Sequence, residues 1–204
     1  MDLRRRELLL RTGGLSLAGL VAAAAPAARA LGQGRLPGPV DRDAALQAFA
    51  DTMLPGRKVD RTESGAPVAP GAIAGVHPLP GAVETDALAL YRHPKVGFDA
   101  LEPAFLADLQ RRAGGDFVAL GFDARTRVCL DGLSFDNPSR TLWEAAAAVP
   151  FTAFCAAALS EEQTAERAAG YRVMGLPGRN LRGYRRFSYG RRLSRERTRT
   201  GSLP

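Results

Sequence analysis

Few residues in this 204-residue chain have the chemistry that catalysis or metal binding needs. The chain has two histidines and two cysteines, so a four-cysteine or histidine-rich metal site would lack ligands. His93 precedes a proline at a predicted helix end, and His77 lies in a segment rich in helix breakers. Both positions favour a capping or surface role over that of a base or ligand. We therefore expect no catalytic residue and no metal site on this chain.

The common cofactor motifs are missing from the sequence as well. No Gly-x-Gly-x-x-Gly follows a predicted strand, no Gly-x-x-x-x-Gly-Lys occurs, and there is no Cys-x-x-Cys-His. Trp143 lies on a helical stripe and is predicted to be part of the core, and its neighbour Glu144 has no identifiable catalytic partner. We therefore expect no cofactor-binding residue on this chain.

Cys129 and Cys155 both lie among apolar residues of predicted helices. Small buried thiols are common in such positions. A disulfide between them, formed after export, is the alternative. The sequence leaves both interpretations open.

Apolar residues recur at helical spacing, whereas alternating strand patterns are few. Asp41 or Asp43 is placed to cap a first helix that ends at Pro55-Gly56, and its apolar stripe contains Ala45, Leu46, Phe49 and Met53. Further stripes begin at Val83 and Leu101. Body residues 31–178 are therefore predicted to be all-α, a small bundle of about six short helices.

The later helices of the body are marked by capping residues. Asp123 and Ser139 are placed to cap the next two helices, and Pro150 is expected to bend or split the second of them. Ser160 and Gln163 form a capping-box pattern at the start of a last helix. Between the first two helices, residues 56–81 contain too many Gly and Pro for regular structure. This Gly/Pro-rich loop is either an interface arm or a mobile surface loop.

The net charge of +7 is concentrated at the two ends of the chain, while the body between them is mildly acidic. At the N-terminus, Arg5-Arg6 is followed by Glu7, Leu8 and Leu9, then by a weakly apolar stretch that ends in Ala28-Arg29-Ala30. This order is typical of a twin-arginine signal. Residues 1–30 are therefore predicted to be a signal peptide that is read at Arg5, Arg6, Leu8 and Leu9 and cleaved after Ala30, with Ala28 and Ala30 in the peptidase pockets.

Export has two consequences for the expected protein. The mature chain would be periplasmic, extracellular or associated with the cell envelope, with no stable membrane span after cleavage. The resemblance to twin-arginine signals implies that the protein is transported after it has folded. This route is used when a cofactor must be inserted, or subunits must assemble, in the cytoplasm. Since the body shows no cofactor site, we expect the cofactor on a partner chain.

The C-terminal tail, residues 179–204, is rich in arginine and aromatic residues and lacks a helical apolar stripe. Such residues are enriched where proteins contact each other. For an exported protein we expect a protein partner and no nucleic acid, although an envelope surface and a plain disordered tail remain alternatives. The residues expected to bind the partner are Tyr184, Arg185, Arg186, Phe187, Tyr189, Arg191 and Arg192.

The first helix and the overall layout resemble a known family. The stretch from Ala44 to Gly56, best between Phe49 and Pro55, together with the signal and the tail, resembles the small subunit of the gluconate 2-dehydrogenase type. The segments 62–65 and 172–178 look more like an uncharacterised exported bacterial family related to it.

The resemblance implies a non-catalytic role. Small subunits of this kind accompany a larger flavin-dependent oxidoreductase of the glucose-methanol-choline class, whose FAD is on that partner. The chain would bind the folded flavoprotein and carry it through the twin-arginine translocase. The alternatives are an exported enzyme with an unrecognised site and an envelope-binding module that uses the basic tail.

Overall fold

The computed structural model of the protein describes residues 19–26, 28, 41–156, 170 and 173. Within these residues the fold is all-α, as predicted, and the only β pairing is an isolated bridge between Arg61 and Pro67. The predicted last helix from Ser160 and the tail lie outside the described residues. The described residues of the body contain five α-helices: α1 (Arg42–Met53), α2 (Ala87–Tyr91), α3 (Glu102–Ala113), α4 (Phe122–Gly132) and α5 (Arg140–Ala156). Short 3-10 helices occupy Phe98–Ala100 and Phe117–Ala119.

Capping residues fix where the helices begin and end. Asp41 caps α1, because its carboxylate accepts hydrogen bonds from the backbone N–H groups of Asp43 and Ala44 at 3.1 Å each. The prediction that Asp123 caps α4 is wrong: Gly121 is the capping residue, and Asp123 lies in the first turn. A carboxylate in that position still stabilises the helix through its dipole.

The core is an aromatic cluster shared by three helices. Phe49 of α1, Phe105 of α3 and Trp143 of α5 are fully buried. Their ring centroids are 4.8 to 5.9 Å apart with edge-on geometry, which is favourable for aromatic pairs. Trp143 is therefore a core residue, as predicted. Gly132 ends α4 against its indole ring, where a Cβ atom would lie 2.2 Å from Trp143 Cδ2.

The indole N–H of Trp143 has a charged partner inside the protein. It donates to Asp108 Oδ2 at 2.8 Å, and the Asp108 side chain is fully buried. Arg111 and Arg112 also donate to this carboxylate. A buried charge is tolerated when it is paired and hydrogen-bonded in this way. Asp108 thus fixes the orientation of the central aromatic residue.

Helix α5 continues through Pro150 without interruption, so the expected split does not occur. Proline has no N–H to offer the carbonyl oxygen four residues earlier, which is Ala146 O. The Tyr91 hydroxyl donates to this oxygen at 2.7 Å instead. Tyr91 is fully buried, and burial raises the pKa of its phenol well above the ordinary value. A neutral phenol therefore replaces the missing backbone donor.

Both cysteines are free, so the structure does not contain the disulfide between Cys129 and Cys155. Cys129 is buried in α4, as predicted, but Cys155 is exposed near the end of α5. Burial raises the pKa of the Cys129 thiol to about 12. Since the thiolate is the reactive form, Cys129 is protected from reagents both by its burial and by its raised pKa.

The two thiols should therefore differ in reactivity with a maleimide reagent. In the native chain at neutral pH we expect Cys155 to be modified at least about 100-fold faster than Cys129. Mass spectrometry of timed samples measures both rates. A Cys155→Ser variant should stay unmodified until denaturant is added, and rapid labelling of that native variant would contradict the buried position of Cys129.

None of the described helices combines the length and apolar character that crossing a bilayer requires. The described residues also contain no group of three or more His, Cys, Asp or Glu side chains arranged to hold a metal ion.

Candidate partner-binding surface

The Gly/Pro-rich segment between α1 and α2 is the most distinctive feature of the described chain. We call residues Arg57–Pro80 the clamped loop, because buried side chains from two helices hold its backbone. It contains no helix, as its composition predicts, but it is packed against the body: Ala72 is fully buried and Ile73 is 7% exposed. The loop therefore packs against the body at these residues, whereas its role at an interface stays a prediction.

Helix α1 holds the loop through two buried polar residues one turn apart. The Gln47 amide donates to Pro67 O at 3.3 Å and accepts from the backbone N–H of Ala69 at 2.8 Å. Asp51 accepts from the N–H of Ala74 at 2.8 Å and of Gly56 at 3.4 Å. Buried polar groups need such partners. The side chains of Gln47 and Asp51 therefore depend on the loop backbone for their hydrogen bonds, and the loop backbone depends on them.

Helix α4 holds the same loop through Arg125, which is only 3% exposed. Its guanidinium donates to Gly71 O at 2.7 Å and Ala72 O at 2.9 Å, and also to Phe117 O at 3.2 Å. A further bond goes to Val118 O. Arg125 therefore joins the loop to the 3-10 helix before α4 using backbone acceptors alone.

The pKa shifts of the two charged clamps reflect their burial. Burial raises the pKa of Asp51 above the ordinary 3.8, against the opposing effects of its backbone bonds to Ala74 and Gly56 and of the Arg125 charge. Burial also lowers the pKa of Arg125, opposed by the Asp51 and Asp116 charges. For Asp51 the folded pKa lies above the unfolded one. Its contribution to stability therefore increases as the pH falls from neutral through the folded pKa.

The ends of the loop meet at a close crossing of two glycines. A Cβ atom on Gly56 would lie 2.4 Å from Gly81 N, and one on Gly81 would lie 2.6 Å from Gly56 N. Backbone bonds flank the crossing, from Arg57 N to Leu79 O at 2.9 Å and from Ala82 N to Leu54 O at 3.0 Å. Only glycine permits this approach. The loop therefore leaves the body at Gly56 and returns to it at Gly81, where the two backbones are in contact.

The tip of the loop, residues 76–79, presents apolar side chains to solvent. Val76 is 52% exposed and Leu79 is 45% exposed. Gly75, with a φ of 70°, turns the chain into the tip. His77 Nδ1 accepts from the N–H of Leu79 at 3.3 Å, so this histidine stabilises the turn. The exposed apolar tip thus lies between the clamp at Ala74 and the backbone bond from Arg57 N to Leu79 O.

The other residues that the sequence analysis discusses have different locations. His93 Nδ1 accepts from the N–H of Lys95 at 3.2 Å, which is a local capping role. Glu144 pairs with Arg140 one turn earlier, at 2.8 Å. Ala28 lies within the described residues, whereas the other signal residues, Arg5, Arg6, Leu8, Leu9 and Ala30, lie outside them. The predicted partner-binding residues also lie outside: Tyr184, Arg185, Arg186, Phe187, Tyr189, Arg191 and Arg192.

Sequence reasoning missed the clamping residues. Gln47 and Asp51 are spaced i, i+4 beside the apolar stripe of α1, and a polar pair in that register is the signal that could have found them. No such signal exists for Arg125, because its acceptors are backbone carbonyls, two of them more than 50 residues earlier in the chain.

Fold and site together define a small all-α protein in which the longest loop of the described residues is fixed to two helices by buried polar residues. A family model described as a family of unknown function (DUF5987) matches residues 40–115 and 111–203. The chain therefore belongs to this family. No curated protein and no solved structure matches it.

Proposed function

We propose that the protein is a non-catalytic accessory subunit. It binds a folded, larger flavin-dependent oxidoreductase and carries it through the twin-arginine translocase to the periplasm, envelope or exterior. FAD belongs to the partner, and this chain has no cofactor of its own. The clamped loop is the observation that carries the proposal, together with the N-terminal signal pattern and the resemblance of the segment Phe49–Pro55.

The loop suits a binding role because its conformation is fixed before binding. Ordering a flexible loop at an interface costs free energy, and a preformed loop avoids most of that cost. The clamps of α1 and α4 supply this order, while Val76 and Leu79 supply apolar area for a partner to cover. Exposed apolar residues grouped on a rigid support are typical of protein interaction sites.

Co-purification tests the proposal directly. The chain, tagged at its C-terminus in the native host, should bring down a larger polypeptide whose absorption spectrum is that of a flavin. A colourless single chain that turns over a substrate would overturn the proposal in favour of an exported enzyme. Salt-sensitive binding to anionic envelope polymer, lost on deletion of residues 179–204, would favour the envelope-binding alternative.

A charge at the loop tip should disrupt the complex without unfolding the chain. We expect the double variant Val76→Glu/Leu79→Glu to bind the flavoprotein at least about tenfold more weakly, equivalent to about 1.4 kcal/mol. Both side chains are partly in water, so the free chain should keep its melting temperature. Titration of the purified partner measures the dissociation constant.

Leu130 provides a matched control, since it is 65% exposed on α4 and also apolar. Leu130→Glu should leave the affinity unchanged. Equal weakening by the two variants, or no effect of the tip variant, would place the binding surface elsewhere on the chain.

A further inference from the structure

The apolar segment of the predicted signal peptide makes contact with the folded body. Residues 19–26 and Ala28 are helical. Val21 is 6% exposed and Ala24 is fully buried, and both belong to the hydrophobic core that also contains Phe49 and Trp143. Ala25 and Ala28 are partly buried against the same core.

The buried residues of this segment form one helical face. Val21, Ala24, Ala25 and Ala28 follow the spacing i, i+3, i+4 and i+7, which places them on one side of a helix. Leu20, before this set, and Ala22, Ala23 and Pro26, within it, are exposed. The segment therefore lies on the body as an amphipathic helix does, although its sequence is apolar on both sides.

This placement conflicts with the conformation that cleavage requires. A signal peptidase must admit the small side chains before the cut, here Ala28 and Ala30, into narrow pockets. Ala28 is instead helical and partly covered by the core. Access to the cleavage site thus requires that the segment leave the body.

We propose that residues 19–26 dock on the folded body as a helix in the uncleaved chain, with Ala28 also against the core, and that this docking withholds Ala28 from the peptidase until the segment is released. The inference rests on the signal peptide that the proposed function also uses. It adds a regulatory contact: the folded body competes with the export and processing machinery for the same apolar segment. Release of the segment becomes the step that commits the chain to processing.

Cysteine labelling tests the docking without any partner. The full-length, uncleaved chain with Cys155→Ser provides a background in which Cys129 is buried. Ala24→Cys and Ala23→Cys then place one thiol on the buried and one on the exposed face, a single residue apart. We expect native labelling of Ala24→Cys to be at least about tenfold slower, with equal rates in denaturant. Equal native rates would overturn the proposal.

Processing rates give a second measurement that does not depend on how well a cysteine fits at position 24. Ala24→Glu and Ala23→Glu add the same charge to the same segment, but only the first places it in the core. Purified signal peptidase should cleave full-length Ala24→Glu several-fold faster than Ala23→Glu. Equal cleavage would contradict the inference. Neither assay involves the flavoprotein. A failed co-purification would therefore not affect the docking result, and a failed docking test would not affect the co-purification result.

Discussion

Replacing Arg125 by methionine is expected to lower the free energy of unfolding by about 3–5 kcal/mol. Methionine fills a similar volume but leaves the carbonyl groups of Gly71 and Ala72 without the donor that Arg125 supplies. Each buried acceptor left unpaired costs about 1–3 kcal/mol. The Asp51 carboxylate also loses the nearby positive charge that favours its ionised form. Urea denaturation followed by circular dichroism measures the loss.

Arg127 is the matched control, because it lies on the same helix and is exposed to solvent. Arg127→Met should change stability by less than about 0.5 kcal/mol. Hydrogen exchange adds a local readout: the N–H of Ala74, bonded to Asp51, should exchange faster in Arg125→Met. A loss below about 1 kcal/mol at Arg125 would mean that the loop is not fixed by this side chain.

Changing Arg5 and Arg6 together to lysine is expected to abolish export. The folded precursor should accumulate in the cytoplasm, because the arginine pair is the feature that the translocase reads in a twin-arginine signal. Under the proposed function the flavoprotein, having no route of its own, should remain in the cytoplasm as well. Cell fractionation with detection of both chains measures the effect.

Arg4→Lys is the control for this experiment, since it keeps the positive charge and leaves the motif of Arg5 to Leu9 intact. It should be exported normally. Normal export of the double lysine variant would refute the twin-arginine assignment. Retention of this chain with normal export of the flavoprotein would leave the signal assignment intact and refute the escort role.

Local rules predicted the fold class and several helix boundaries. The cap at Asp41 and the end of α1 just before Pro55-Gly56 are set by residues within a few positions of each boundary, so the local sequence is enough to predict them. The aromatic core residues follow from helical spacing in the same way. These features need no knowledge of distant segments.

Apart from the cap of α4, which lies two residues before the predicted Asp123, the differences arise where a distant residue determines the outcome. Pro150 does not split α5, because Tyr91, 55 residues away from Ala146 in sequence, satisfies the freed carbonyl oxygen. The Gly/Pro-rich segment is held close to the body because Arg125 donates to it across 53 and 54 residues. Cys155 lies in an apolar run but faces solvent. Such contacts depend on tertiary packing, which local patterns do not encode.

The clamp formed by Arg125 also constrains the order of events during synthesis. A nascent chain that has emerged only as far as α1 and residues 56–81 contains the acceptors but not the donor, which arrives with α4. Contacts so distant in sequence form late, because the chain between them must be made and closed first. The loop backbone at Gly71 and Ala72 therefore gains its bonds to Arg125 only after α4 has left the ribosome, whereas Gln47 and Asp51 of α1 are available to the loop earlier.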